Sequence, residues 1–188
     1  MLITESYRQQ NAKLHETNAA YGISGQKYAR QVLELATMFK TTDILDYGCG
    51  KCTLAYNLPF PIKNFDPCIL GLDTPPEQAD IVVCTDTLEH VEEECVDEVL
   101  DHIKSLTRHA AFMEIATRPS IKSLPDGRNT HVTVRPGIWW MRKLEKRWAV
   151  EKSHVTEAHV MVFLKVKPKR DRKRTPKAAE VGGNQVGG

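Results

Sequence analysis

The stretch Ala-Asp-Ile-Val-Val-Cys, residues 79–84, constrains the fold more than any other. Four apolar or sulfur side chains follow one another between polar residues, the pattern of a buried strand. The next segment, Val91 to Thr107, carries Val91, Cys95, Val99 and Ile103 at every fourth position, the spacing of one helix face. Glu92, Glu93 and Glu94 open that segment, and Lys104, Arg108 and His109 stand near its end, the order the helix dipole favours.

The same alternation runs along the chain. Residues 6–17 read as a polar N-terminal helix, 18–25 as a loop, and Gln26 to Phe39 as a helix with Tyr28, Val32, Leu35 and Phe39 on one side. Residues 43–48 form a short apolar strand ending in a glycine turn, followed by a helix from Lys51 that Pro59 stops. Further strands are expected at 62–66 and 110–117. Pro136 opens a last helix with the stripe Trp140, Leu144 and Trp148. Strands at 148–155 and 159–166 close the chain. The expected class is α/β: a mostly parallel sheet with helices on both faces. The last two strands are joined by too few residues for a parallel crossover, so they should form an antiparallel hairpin.

A chain of 188 residues suits one domain. It has no apolar run long enough to span a membrane, and its polar start lacks a signal-peptide apolar region. The expectation is a soluble, cytoplasmic protein without membrane partners. Five cysteines, an odd number, argue against a disulfide framework. The net charge of +2 is uneven: Lys165 to Gly188 carries eight Lys/Arg against two Asp/Glu, and the remainder is mildly acidic. The expected division is therefore a folded domain over 1–167 and a basic, disordered tail over 168–188. The tail is either a solvated end or a contact to nucleic-acid phosphates. Oligomeric state is not legible.

The stretch Asp-Tyr-Gly-Cys-Gly-Lys-Cys, residues 46–52, admits two chemistries. Cys49 and Cys52 have the spacing of a redox dithiol or half a zinc site. Gly48 and Gly50 have the spacing of a nucleotide turn. Its place decides for the turn, because it stands where an apolar strand gives way to a helix and ligands of such sheets bind at strand carboxyl ends. Asp66 follows at the end of the next strand, where a carboxylate can accept both hydroxyls of a ribose. Zinc needs four ligands, and Cys68, Cys84 and Cys95 are single, so no metal site is expected. The dinucleotide pattern Gly-x-Gly-x-x-Gly fails at Thr53.

At this point the sequence resembles the class I S-adenosylmethionine-dependent methyltransferases. The resemblance rests on "LDYGCGKC", on "NFDP" with Asp66, on "ADIVVCTDTLEHV" at the family's fourth-strand position, and on "THVTVRPGIWW". It covers roughly residues 20 to 165, and the compact arrangement is similar to bacteriophage-encoded members. It implies a Rossmann-like fold and S-adenosylmethionine as cofactor. It further implies that the Gly48–Cys49–Gly50 turn passes the methionine and ribose, that Asp46 orders the amino group, and that Asp86 and Thr87 border the methionine end. The loop with Tyr21, Gly22, Ser24 and Gly25 would cover that end. Glu89 and Arg135 would meet the substrate, and His90 and His131 would face the acceptor as catalytic groups. Each has a plainer role: Glu89 as a helix cap, His90 as a loop anchor, His131 and Arg135 as an exposed loop.

Two departures from the family stand out. Cys52 replaces the third glycine. Only 13 residues separate Asp66 from Asp80, where the family fits a helix, a strand and another helix. The sheet should be reduced there, with Asp73 the only nearby acid for adenine. The acceptor is not readable: "CTDT" lacks the Asn/Asp-Pro-Pro-aromatic motif of nucleic-acid amino methyltransferases. A small-molecule or nucleotide-like acceptor is favoured. The alternatives are a protein that binds or cleaves S-adenosylmethionine without methyl transfer, and a nucleic-acid methyltransferase that uses the tail.

Overall fold

A computed structural model describes residues 1–168 of the chain. The expected tail, save Pro168, lies outside the described residues. Helices α1 (Glu5–Thr17) and α2 (Ala29–Phe39) precede strands β1 (Ile44–Tyr47), β2 (Lys63–Phe65) and β3 (Ala79–Thr85). Helix α3 (Val96–Leu106) leads directly into β4 (Thr107–Ala116), and α4 (Gly137–Arg147) directly into β5 (Trp148–Val155), which returns as β6 (His159–Val166). The six strands lie in the order β2-β1-β3-β4-β6-β5. The first four are mutually parallel, and β6 runs antiparallel between β4 and β5. The expected Rossmann-like sheet with its C-terminal hairpin is therefore present.

The strands sort their side chains by alternation. Leu45, Val82, Cys84, Ala111 and Met113 pack on α3 and α4, whereas Ile44, Ile81, Val83, Ala110 and Phe112 pack on α2. Both faces are covered, which is why residues 79–84 read as a continuous apolar run. Helix α1 stands apart from both layers. Its Tyr7 and Leu14 join Tyr21 and Leu124 in a small separate cluster. Thr4 caps it, accepting from the Tyr7 amide, and is itself held by both carboxylate oxygens of Glu92.

The reduced segment is as short as expected, with no strand between β2 and β3. That leaves β2 as an edge. It is only three residues long, and its Lys63 ammonium pairs with Asp43, a blunt, charged edge that discourages strand addition.

Four sequence expectations need correction. The segment after the glycine turn is not a regular helix; turns and a single 3-10 turn, Ala55–Asn57, fill it. The cause is backbone geometry: Cys52 sits at φ +55°, which a right-handed helix cannot contain. Helix α3 begins at Val96 rather than Val91, because Glu92 is extended at ψ 135° and a 3-10 turn over Glu93–Cys95 follows it. Arg108 and His109 belong to β4, not to a helix end; Arg108 instead pairs with Asp80 and Asp43 across the strand starts. Helix α2 begins at Ala29 rather than Gln26, after a 3-10 turn over Ser24–Tyr28, whereas Trp148 opens β5 where the strand 148–155 is expected and stays fully buried.

Cys52 thus occupies the third-glycine position with a glycine-like backbone. A non-glycine residue in the left-handed region costs about 1–2 kcal/mol, and glycine's added chain entropy returns about 0.5–1 kcal/mol of that. Cys52→Gly is expected to raise stability by roughly 0.5–1 kcal/mol, measured by denaturant unfolding.

Candidate active site

The cleft opens at the carboxyl ends of β1, β2 and β3. The amides of Gly48 and Cys49 both donate to the Phe65 carbonyl, at 2.8 and 3.1 Å, locking the turn after β1 to the end of β2. Gly48 takes φ +77°, and a Cβ on it would meet the Thr87 side chain at 2.3 Å. A Cβ on Gly50 would meet the Gly22 carbonyl at 2.5 Å. Both glycines are therefore required by close approach as well as by backbone angle. The loop before α2 rests on this turn through Lys51 N–H, which donates to Gly22 O at 2.8 Å.

Asp66 follows Phe65 and is aimed back at the turn. Its Oδ2 accepts from Gly50 N at 3.0 Å and its Oδ1 from Cys68 N at 2.9 Å. Two amide donors orient the carboxylate on the cleft wall and leave it further lone pairs for hydroxyl donors. Asp46 lies behind the turn, 2% exposed. Burial, and then the Asp66 charge, push its carboxyl up to about 7.

Asp86 and Thr87 follow β3. Asp86 adopts φ +53°, and its amide donates to Glu114 O on β4. Burial alone would raise the Asp86 carboxyl; the Ser24 hydrogen bond and the adjacent imidazoles outweigh it, and the net shift is downward. Thr87 Oγ1 lies 3.3 Å from Gly48 O and 3.0 Å from Thr85 O, tying β3 to the glycine turn.

The far end holds two imidazoles in perpendicular contact, His90 and His131, with ring centres 4.8 Å apart. His90 Nδ1 is 2.8 Å from Thr130 O, and His131 Nδ1 is 2.7 Å from Arg118 O. Burial, then His131, pulls the His90 pKa down to about 4; burial lowers His131 as well. Both rings are therefore neutral near pH 7. Tyr21 OH donates to Asn11 Oδ1 at 2.7 Å and packs its ring edge-on against His90.

These groups line one cleft with about 930 Å³ of empty space, part of it open to solvent. Tyr21, Gly48, Gly50, Asp66, Asp86, Thr87, His90 and His131 all stand on its wall, as does Ser24. Five expected site residues do not. Asp46 and Cys49 are buried behind the turn. Gly25 packs against Leu54, so Ser24 faces the cleft in its place. Glu89 is 0% exposed, its Oε1 accepting from Ala116 N at 3.0 Å. Arg135 is drawn away by a two-pronged pair with Glu93 and lines a separate shallow groove beside Pro136 and Val155. Asp73 is exposed and bonds the Gly71 amide.

The sequence reading missed the roof. Helix α1 contributes Tyr7, Asn11 and His15, and the chain after Asp66 contributes Pro67 and Cys68. Cys52 Sγ donates to Cys49 Sγ at 3.8 Å and the two form no disulfide; burial raises the Cys49 thiol far above its ordinary range. The dithiol reading of this stretch gains no reactive thiolate from its surroundings.

A glycine turn, an acid after the second strand and a cleft at strand carboxyl ends define an α/β protein that binds a nucleotide-containing cofactor. The profile of a family described as "Methyltransferase domain" matches residues 21–158, and the chain belongs to that family. Solved structures share its fold. One is a 1,6-didemethyltoxoflavin-N1-methyltransferase from Burkholderia thailandensis with 1,6-didemethyltoxoflavin and S-adenosylhomocysteine bound. It is 11% identical at TM-score 0.59, over 86% of this chain and 87% of that one. Another is magnesium protoporphyrin IX methyltransferase (ChlM) from Synechocystis PCC 6803 with bound SAM, 12% identical at TM-score 0.56, over 87% and 94%. A third is the DhpI-SAH complex, 17% identical at TM-score 0.56, over 87% and 95%. No curated protein sequence matches. The sequence expectation of an S-adenosylmethionine-dependent methyltransferase is borne out at the level of family and fold.

Asp46 generates a pH prediction. Its carboxyl holds a proton to about pH 7 when folded but releases it near 4 when unfolded, so it subtracts stability progressively as pH rises between those values. Asp46→Asn removes that loss. Thermal melts of the unliganded proteins should show little difference at pH 4 and a higher Tm for the variant at pH 8.

Proposed function

We propose that the protein transfers the methyl group of S-adenosylmethionine to a small-molecule or nucleotide-like acceptor. The observation that carries this reading is a single cleft with the glycine turn and Asp66 at one end and two neutral imidazoles at the other. The ribose hydroxyls bond Asp66, and the methionine end lies along Gly48, Asp86 and Thr87. Asp46 acts on the ammonium from behind the turn; a bound cation there draws its carboxyl into the ionised form. Tyr21 and the α1 residues Asn11 and His15 close the cleft from above.

The sulfonium already activates the methyl group. The chain's own residues must hold the acceptor lone pair in line with it and exclude water. His90 and His131 present ring nitrogens to an acceptor that must lose a proton. The porphyrin and toxoflavin-type substrates of the similar structures favour a small acceptor. Among the described residues no helix is long and apolar enough to cross a membrane. We place the enzyme in the cytoplasm, consistent with its five unpaired cysteines. We take residues 1–167 as the catalytic domain and the basic segment 168–188 as a solvated end, with nucleic-acid contact as its alternative.

The short segment between β2 and β3 supports a second reading, a protein that binds or cleaves the cofactor without transferring methyl, because the family's third strand is missing from the adenine side. Incubation with methyl-labelled S-adenosylmethionine and a metabolite extract separates the two. Label appearing in a small product supports transfer. Cofactor breakdown in the absence of the extract, or tight binding with no turnover, overturns it.

Calorimetry tests the cofactor site itself. Hydrogen bonds to a charged partner contribute about 1.5–3 kcal/mol, so Asp66→Ala should weaken S-adenosylmethionine binding by roughly 10- to 100-fold. Equal affinity in variant and wild type removes the ribose assignment.

A further inference from the structure

Four side chains converge at the acceptor end of the cleft. Asp86, Glu89, His90 and His131 each offer one ligand atom, and these atoms all lie within 4.8 Å of one another. Ligands about 2.0–2.2 Å from a common metal ion stand roughly 3–4.4 Å apart, so small side-chain adjustments close this set around one ion.

The hydrogen bonds fix what the imidazoles present. Thr130 O and Arg118 O can only accept, so Nδ1 of His90 and of His131 carries the proton. The free lone pair of each ring is then on Nε2. An imidazole whose Nδ1–H is anchored to a carbonyl is the arrangement of a metal-ligating histidine. Glu89 supplies an independent observation. The residue is 0% exposed; Oε1 accepts the Ala116 amide, while Oε2 has no hydrogen-bond partner among the described residues. A buried carboxyl oxygen without a partner is costly, and a cation both satisfies it and draws the group into its ionised form.

We propose that Asp86, Glu89, His90 and His131 bind one divalent cation beside the acceptor. Two imidazole nitrogens and two carboxylate oxygens suit Mn²⁺, Fe²⁺ or Zn²⁺ better than Ca²⁺, which takes oxygen alone. Four protein ligands leave two positions of a six-coordinate ion for the acceptor. On the methyltransferase reading, the acceptor atom is then an oxygen, and the two imidazoles act on it as ligands of the ion rather than as proton acceptors. The cation lowers the pKa of the bound hydroxyl, whose proton passes to solvent. The O–CH₃ bond forms as the S–CH₃ bond breaks, and the electron pair of that bond stays on sulfur. Glu89, off the cleft wall, thereby gains a role at the substrate through the ion.

The test is a metal titration of the full chain without cofactor or acceptor, so its outcome does not depend on methyl transfer. Chelator-stripped protein is titrated with MnCl₂ and the free Mn²⁺ signal is followed by electron paramagnetic resonance, with ZnSO₄ and MgCl₂ as competitors. One Mn²⁺ per chain is expected. His131→Ala and Glu89→Gln should each weaken binding at least about tenfold, a typical loss for a disturbed metal shell, while Glu93→Gln leaves it unchanged. Cooperative melting of each variant checks that it folds, and His131, nearer the surface, serves if Glu89→Gln does not. Absence of Mn²⁺ and Zn²⁺ binding at millimolar metal, or binding unaltered in the folded variants, overturns the site.

Discussion

Two amides sharing one carbonyl hold the site together. Gly48 and Cys49 both donate to Phe65 O, which fixes the end of β1 against the end of β2. Asp66 is the next residue, so the same lock aims its carboxylate at Gly50 N. The turn in turn supports Gly22, whose carbonyl takes the Lys51 amide, and Gly22 begins the segment that carries Ser24 to the cleft. The glycine turn, the Asp66 carboxylate and the loop that carries Ser24 therefore depend on one small knot of backbone. Side chains are excluded from it, since a Cβ at Gly48 or Gly50 would collide with Thr87 or with Gly22.

Most of the sheet was legible because burial on two faces leaves a plain signature. Residues 79–84 pack against α2 with Ile81 and Val83 and against α3 and α4 with Val82 and Cys84, so nothing polar interrupts the run beyond Asp80. The glycine-turn end of the cleft was legible for a local reason: the glycines and Asp66 meet within one strand-turn unit. What failed was non-local. Helix α1 roofs the cleft, yet it buries only Tyr7, Asn11 and Leu14, too few to mark a face in sequence. Arg135 reads as a substrate contact until Glu93, 42 residues away, takes its guanidinium. The missing helix after the turn follows from a backbone angle at Cys52 that its side chain does not announce. Glu89 was assigned to the substrate from its neighbours in sequence, but the 3-10 turn Leu88–His90 points it inward while His90 faces the cleft.

The buried carboxyls of this corner are held away from their ordinary charged state, and its imidazoles are held neutral. Burial pushes Asp46 and Glu89 up and pulls His90 and His131 down. Each favours its neutral form in the unliganded protein, and each is a group whose charged or coordinating form a ligand would stabilise. Such a site weakens the empty fold and is strengthened by its occupant, the usual relation between stability and activity. The ion pairs that join α3 to α4, where Arg147 meets Asp97 and Asp101 and Lys143 meets Asp97, involve none of these groups.

With the cofactor placed as proposed, the acids would also give the reaction a direction. On the proposed placement, Asp66 and Asp86 face the cofactor end, Asp46 joins them once a bound cation draws its carboxyl into the ionised form, and Lys51 spends its ammonium on Asn18 O. S-adenosylmethionine carries one more positive charge than the S-adenosylhomocysteine left after transfer. A unit charge about 4 Å from a carboxylate near a protein surface interacts by roughly 4 kcal/mol at an effective dielectric of 20, before desolvation is subtracted. Only a fraction of that is needed to favour cofactor over product severalfold. An acid-lined cleft therefore draws in the sulfonium and loosens its grip once the methyl group, and the charge with it, has gone.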